Sequence, residues 1–260
     1  LEMSNFVQLS WHPDGQHLAI STTNEWLLFL RHDWSLKRKQ ELPFQGGGHI
    51  AWSPDGSRFA VADGQVIVLW DPFAAEPDRI LTGHTAPVIN VDWSPTSQQL
   101  VSSDNLGSVK IWGLNSPNNP TLFSVNAELQ SLAWTDDGNS LLLEHTDGGT
   151  STWNLQQGGP IVRSASSGSV EHSVWSPDRV RVAKYTDTDP ALVRIHNGNE
   201  EELHAVCRLG AEGKISQMAW SNDGTTLAIA QQLDKRVMVT MWDVDSETRI
   251  SKWSYAGSIS

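Results

Sequence analysis

The sequence predicts an all-β fold made of six repeats of a small antiparallel sheet. Tryptophans recur along the 260 residues at intervals of 41, 41, 41, 41 and 45, and most are followed by a Ser-Pro-Asp-Gly type of turn. A period of this size marks a repeat architecture. No segment shows apolar residues at helical spacing over three turns, so no helix is predicted. The recurring tryptophans are Trp11, Trp52, Trp93, Trp134, Trp175 and Trp220.

Each repeat contains four short apolar segments that are typical of strands. The first ends at the recurring tryptophan, as in Val88–Trp93, and the turn that follows suits a tight hairpin. The second, third and fourth are exemplified by Arg58–Ala62, Val66–Trp70 and Arg79–Leu81. Sheets of this size cover their faces by stacking radially, which is the β-propeller arrangement. We therefore predict a single six-bladed β-propeller domain over residues 1–260, with blades starting near residues 5, 47, 88, 129, 170 and 215.

A seven-bladed propeller that is cut short is the alternative. The next recurring tryptophan would be expected about four residues beyond Ser260, so six repeats use up the chain. Six blades are therefore the more economical interpretation.

These motifs resemble the WD-repeat family of β-propellers, and the resemblance extends over all six repeats. Trp70-Asp71 and Trp242-Asp243 end third strands, and Gly83-His84 stands nine residues before Trp93. The resemblance implies a scaffold or sensor module that presents loops to a protein or peptide. In a second form of this hypothesis, the module is part of a larger signalling protein. The turn Trp-Ser-Pro-Asp-Gly also occurs in other propeller families, so the motifs predict the fold more strongly than the subfamily.

The resemblance also implies a buried His–Ser–Trp–Asp hydrogen-bond network in the blades. The third repeat offers His84, Ser102 and Trp112, but Leu106 stands where the Asp is expected. The fourth repeat has an Asp and a Trp without the His. We therefore expect that no blade completes the network and that sheet packing supplies most of the stability.

Composition narrows the classes of function. Eighteen Lys and Arg stand against thirty Asp and Glu, which gives a formal net charge of −12. This balance argues against nucleic-acid binding and is compatible with a basic protein partner. Cys207 is the single cysteine and is expected to be a packed thiol, so disulfides and cysteine-rich zinc sites are excluded. The apolar runs are too short to span a bilayer, and we expect a cytoplasmic protein without membrane association.

A polar residue stands three positions before each recurring tryptophan. Strand alternation places this set on the opposite sheet face from the apolar residues, and innermost strands line a propeller's channel. We therefore expect a polar ring, either as a small-ligand or ion site or, in the favoured interpretation, as hydrated channel lining. The set is Gln8, His49, Asn90, Ser131, His172 and Gln217.

The turns between second and third strands are the candidate partner contacts. The resemblance and the exposure of loops both suggest this face, although Asp, Asn and Thr also bond their own backbone in ordinary turns. The candidates, seven residues before the end of each third strand, are Thr23, Asp63, Asn105, Thr146, Asp189 and Lys235. Trp34 is a further candidate because Trp is enriched at interface centres and this one lies in the polar, basic stretch 31–40. The favoured interpretation of that stretch is that its charges protect a sheet edge.

Searches for catalytic motifs assign no reaction role to any residue. The sequence contains no Gly-x-Ser-x-Gly, no phosphate-binding loop and no His-x-x-x-His pair. We expect no catalytic site, no metal and no cofactor, and favour a non-catalytic protein-interaction module. The alternatives are a six-bladed hydrolase or lyase and a propeller that binds a small ligand in its channel.

Overall fold

The computed structural model contains only β-strands as regular secondary structure in the residues it describes. These residues are 8–22, 25–31, 33–43, 47–114, 116–125, 129–146, 149–155, 159–164, 171–177, 180–186, 189, 191–197, 203–209, 213–233 and 236–255. They form six four-stranded antiparallel sheets, which confirms the predicted six-bladed β-propeller. In these ranges, no helix is long and apolar enough to cross a membrane.

Each blade is built from four strands that follow one another in the chain and pair in that order. Blade 1 contains β1 (Gln8–Trp11), β2 (His17–Ser21), β3 (Glu25–Leu30) and β4 (Ser35–Glu41). Blade 2 contains β5 (Gly47–Trp52), β6 (Phe59–Asp63), β7 (Val66–Trp70) and β8 (Arg79–Leu81). Blade 3 contains β9 (Val88–Trp93), β10 (Gln99–Asp104), β11 (Ser108–Gly113) and β12 (Ser116–Ser124).

The second half of the chain repeats this order. Blade 4 contains β13 (Leu129–Trp134), β14 (Ser140–His145), β15 (Thr150–Asn154) and β16 (Gly159–Ser164). Blade 5 contains β17 (Glu171–Trp175), β18 (Arg181–Thr186), β19 (Leu192–Asn197) and β20 (Leu203–Arg208). Blade 6 contains β21 (Lys214–Trp220), β22 (Thr226–Leu233), β23 (Arg236–Asp243) and β24 (Thr248–Tyr255).

The chain divides into two compact units. One comprises Leu1–Thr22, Leu27–Lys39 and Ser169–Ser260, and therefore holds most of blade 1 together with blades 5 and 6. The other comprises Thr23–Trp26 and Gln40–Gly168, which include blades 2, 3 and 4. Within the first unit β1 packs against β21, so the first and last blades are neighbours.

The turn between the first and second strands explains why the recurring tryptophan is followed by Ser-Pro-Asp-Gly. In blade 2, Ser53 Oγ lies 2.6 Å from Asp55 Oδ1 and accepts the Arg58 backbone N–H at 3.1 Å. Gly56 closes this turn with a φ of 72°, in the left-handed region that favours glycine. The repeated motif is therefore a local hairpin that each blade forms from its own residues.

Three of the recurring tryptophans hydrogen-bond their blade to its neighbour. Trp93 Nε1 donates to the Ala51 carbonyl at 3.0 Å, and Trp220 Nε1 donates to the Val174 carbonyl at 2.9 Å. In both cases the acceptor directly precedes the recurring tryptophan of the preceding blade. Trp11 Nε1 repeats the contact across the junction of blades 1 and 6, where Ala219 O accepts at 3.3 Å. An indole at this one position thus supports inter-blade packing, which accounts for the period in the sequence.

Trp26 and the single cysteine are both buried. Trp26 on β3 is fully buried and packs edge-on against Phe59 and Trp70, with ring centroids 4.8 and 5.4 Å away. Cys207 on β20 is also fully buried, and burial raises the pKa of its thiol to about 12. The prediction of a packed thiol is confirmed, and the raised pKa keeps the thiol protonated at neutral pH.

Candidate functional site

A chain of buried hydrogen bonds joins three segments of blade 3. His84 Nδ1 lies 2.8 Å from Asp104 Oδ2, and His84 Nε2 lies 2.7 Å from Ser102 Oγ. Trp112 Nε1 donates to the same Ser102 Oγ at 2.9 Å. All four residues are buried. The network therefore ties the loop before β9 to β10 and β11.

Protonation of His84 follows from these contacts. Burial lowers the pKa of His84, although the hydrogen bond and the negative charge of Asp104 act in the opposite direction. The imidazole is therefore neutral at physiological pH, with Nδ1–H donating to Asp104 and Nε2 accepting from the Ser102 hydroxyl. Each polar atom that joins the four side chains then has a donor or acceptor of the right kind.

The expectation that no blade completes this network is wrong, because Asp104 supplies the carboxylate in place of position 106. Strand β10 runs through Asp104, and the chain turns only after it. Asp104 Oδ1 accepts the backbone N–H groups of Leu106 at 3.1 Å and Ser108 at 2.9 Å. The carboxylate thus closes the turn as well as the network, whereas the side chain of Leu106 is 74% exposed.

The network holds an exposed surface, which we call the blade-3 face. Asn105 N donates to Pro87 O at 3.0 Å, so the turn after β10 lies against the loop before β9. Leu106 projects from this turn and is one of the most exposed large apolar side chains among the described residues. The blade-3 face consists of the exposed residues Thr82, Gly83, Thr85, Pro87, Asn105 and Leu106.

The predicted partner contacts in blades 2, 3 and 4 differ in exposure. Asn105 and Thr146 are exposed, as expected for turn residues. The exposure expected of Asp63 is wrong, since its side chain is fully buried. Asp63 pairs directly with Val66, so the turn of blade 2 is shorter than that of blade 3. Asp63 therefore matches Asp104 in register, and Asn105 has no counterpart there.

The remaining predicted contacts give a mixed result. Asp189 is half-buried and forms an ion pair with Arg194 Nη2 at 3.5 Å. Trp34 is not a freely exposed anchor but is half-buried, with its ring edge-on to Trp11 at a centroid distance of 5.9 Å. Thr23 and Lys235 lie outside the described residues.

Most of the predicted polar ring has local partners in the structure. Asn90 Nδ2 donates to Ser103 Oγ at 3.0 Å, and Ser131 Oγ donates to Glu144 Oε2 at 2.9 Å. These bonds are of the kind expected for a structural role. Ligand binding by the ring stays untested.

The other ring members are also engaged or buried. His172 stacks on Tyr185 at 4.6 Å, and Gln217 Oε1 accepts the Leu9 backbone N–H. Gln8 is buried, and burial lowers the pKa of His49 to about 4, which keeps its imidazole neutral.

Asp92 on β9 is a carboxylate that the sequence did not single out. Its Oδ2 accepts the Trp134 backbone N–H at 2.8 Å, which links blades 3 and 4. Burial nevertheless raises the pKa of Asp92 from 3.8 to about 6. The folded chain therefore binds this proton more tightly than the unfolded chain does, and stability falls as the pH rises from about 4 to about 6.

We expect the substitution Asp92→Asn to stabilise the protein near neutral pH. The amide oxygen can still accept the Trp134 N–H, and no charge has to be buried. Urea unfolding should give similar stabilities for variant and wild type near pH 4, and a gain of about 1–2 kcal/mol for the variant near pH 7.5. An equal difference at both pH values would show that ionisation of Asp92 is not the cause.

Similarity to known proteins centres on the network blade. Residues 75–113 match the family described as "WD domain, G-beta repeat". This segment contains all four network residues, His84, Ser102, Asp104 and Trp112. The chain is therefore similar to WD-repeat β-propellers. Blade 3 retains the most complete version of the repeat, while the other blades keep the fold with altered motif residues.

The chain has relatives with different descriptions in several organisms. It is 25% identical over 246 residues to "Cell division cycle 20.1, cofactor of APC complex" of Arabidopsis thaliana, covering 88% of this chain and 52% of that protein. It is 28% identical over 218 residues to "Protein transport protein SEC31" of Mycosarcoma maydis, covering 75% and 14%. It is 29% identical over 102 residues to "Guanine nucleotide-binding protein subunit beta-2" of Nicotiana tabacum, covering 39% and 27%.

The chain thus spans about half or less of the length of these relatives.

Proposed function

We propose that this protein is a non-catalytic interaction module that binds a protein partner through the blade-3 face. The observation that carries the proposal is the 74% exposure of Leu106 on a turn fixed from below by Asp104. An apolar side chain that is already held in place loses little conformational entropy when a partner covers it. Exposed apolar groups on such rigid loops are typical centres of protein interfaces.

The names of two relatives support a role in protein assemblies. One is described as a cofactor of a complex and another as a subunit of a guanine nucleotide-binding protein. The net charge of −12 on this chain favours a partner with a basic surface around the apolar contact. The partner we propose is therefore a protein or peptide with an apolar residue flanked by Lys or Arg.

Affinity purification with matched variants tests this proposal. Leu106→Ser together with Asn105→Ala removes the apolar contact and one polar contact, while Asp104 and the network stay intact. Phe73→Ser is the control, because Phe73 is 76% exposed and lies in the turn after β7, outside the blade-3 face. We expect the double variant to bind its partners at least about tenfold more weakly, and the control to bind like wild type.

If Phe73→Ser loses its partners and the double variant keeps them, the interface lies at the opposite end of the strands, near Phe73. Retention of every partner by both variants would reject an interface at either place.

A further inference from the structure

Two imidazoles and one carboxylate converge in the turn between β1 and β2. His12 Nδ1 lies 2.9 Å from Asp14 Oδ1, and His17 Nδ1 lies 2.8 Å from Asp14 Oδ2. One nitrogen or oxygen from each of the three residues lies within 4.8 Å of the others. The residues are half-buried or exposed at the surface of blade 1, so an ion from solution can reach them.

The corresponding turns of the other blades show what is special here. In blades 2, 4 and 6 a hydroxyl stands at the first position and lies 2.6 Å from the turn aspartate. The first residues are Ser53, Thr135 and Ser221, and the aspartates are Asp55, Asp137 and Asp223. Blade 1 keeps the aspartate but replaces the hydroxyl by His12 and places His17 on the other carboxylate oxygen. The turn needs only one hydroxyl to form, so its hairpin does not require two imidazoles.

At His12, the negatively charged Oδ1 of Asp14 faces the lone pair of the imidazole Nδ1. The Asp14 backbone N–H is directed at His12 Nδ1 at 3.0 Å, which requires that nitrogen to accept. The same Nδ1 lies 2.9 Å from Asp14 Oδ1, which also only accepts when ionised. A cation between nitrogen and oxygen relieves this repulsion.

We propose that His12, Asp14 and His17 form a binding site for one divalent transition-metal ion of the zinc class. Zinc binds imidazole nitrogen and carboxylate oxygen at about 2.0–2.2 Å in a tetrahedron, which puts neighbouring ligand atoms about 3.4 Å apart. The three ligand atoms all lie within 4.8 Å of one another, so modest side-chain rotations bring them to this separation. Three protein ligands leave the fourth position to water.

The surroundings of the three residues suit a metal site. The Gln16 backbone N–H donates to Asp14 Oδ1 at 2.7 Å and orients the carboxylate. The nearby guanidinium of Arg31 contacts the Gly15 carbonyl at 3.3 Å, but its charge is paired with Asp223 at 2.9 Å. The site shares no residue with the blade-3 face and can be tested separately from the proposed protein binding.

Calorimetric titration of the untagged chain with zinc chloride tests the site. The variants are His12→Ser, which installs the residue that blades 2, 3, 5 and 6 use at this position, and His17→Gln. The control is His204→Gln, which removes another imidazole near a carboxylate, since His204 Nε2 lies 3.8 Å from Asp245. The double variant His12→Ser/His17→Gln is titrated as well, and cobalt absorption spectra of all five proteins report whether nitrogen and oxygen ligands bind the ion.

We expect the wild type and His204→Gln to bind one zinc ion per chain. His12→Ser and His17→Gln should each weaken binding by about tenfold or more, and the double variant should lose the cobalt spectrum. Circular dichroism checks that the variants keep their strands. Zinc bound by the double variant as tightly as by wild type, or no zinc bound by the wild type, overturns the proposal.

Discussion

Replacing Asp104 by alanine is expected to lower the free energy of unfolding by about 3–5 kcal/mol. The carboxylate is fully buried and accepts from His84 and from the backbone N–H groups of Leu106 and Ser108. Alanine leaves all three donors without an acceptor inside the protein. Thermal and urea unfolding of variant and wild type measure the loss.

Two further variants distinguish the effect of losing the network's hydrogen bonds from the effect of losing side-chain volume. Asp104→Asn keeps an oxygen for the backbone N–H groups but cannot accept from His84 with its other atom, so we expect a smaller loss. Ser102→Ala removes the hydroxyl that contacts both His84 and Trp112. The effects of Asp104→Ala and Ser102→Ala should be strongly non-additive because both act through His84. A loss below about 0.5 kcal/mol for Asp104→Ala, the size of an ordinary surface change, would contradict a stabilising network.

Replacing Arg31 by alanine is expected to destabilise the protein by about 2 kcal/mol and to accelerate unfolding. Arg31 joins blade 1 to blade 6 through Asp223 at 2.9 Å and Thr226 Oγ1 at 2.6 Å. Its guanidinium also lies over the ring of Trp11, 5.7 Å from the centroid. Each described sheet consists of four strands that are consecutive in the chain, so no described sheet contains strands from both blade 1 and blade 6. Side-chain contacts therefore join these two blades.

Arg181→Ala is the matched control for this junction. Arg181 makes a similar contact between blades 5 and 6, with Asp245 at 2.6 Å and the Gly224 carbonyl at 3.3 Å. Those two blades are adjacent in the chain, so the link between them does not depend on one side chain. We expect Arg181→Ala to cost less than Arg31→Ala in stopped-flow unfolding experiments. Equal effects would show that the junction of blades 1 and 6 has no special dependence on Arg31.

The strands were predictable because the residues within each repeat are sufficient to define its strands and turns. The recurring tryptophan and the turn after it define a hairpin without reference to distant residues, as Ser53 and Asp55 show. Propeller sheets also contact mainly their neighbours, so a repeated local pattern is enough to predict the architecture. This is why six blades followed from the spacing alone.

The candidate site was less predictable because counting back from a strand end assumes turns of equal length. The turn after Asp63 is shorter than the turn after Asp104. Counting seven residues back from the end of the third strand therefore reaches the buried Asp63 in blade 2, but Asn105, the residue after Asp104, in blade 3. The same assumption put Leu106 where Asp104 belongs. Alignment of Asp63 with Asp104 by strand register would have found the correct residue.

The convergence of His12 and His17 escaped the sequence search for another reason. Their spacing fits none of the helical metal motifs, since a hairpin brings together residues five apart. Trp34 stays a candidate contact, but its ring packs edge-on against Trp11, a contact that its polar sequence neighbours do not indicate. In both cases the deciding contact depends on the turn conformation, which the residue types alone do not specify.

Hydrogen–deuterium exchange with a captured partner tests the central claim most directly. The account predicts that binding slows exchange at residues 82–87 and 104–108, which surround Leu106, and leaves residues 12–17 and the outer strand β4 unchanged. Slower exchange confined to β4 or to the turn after β7, with the blade-3 face unaffected, would contradict it.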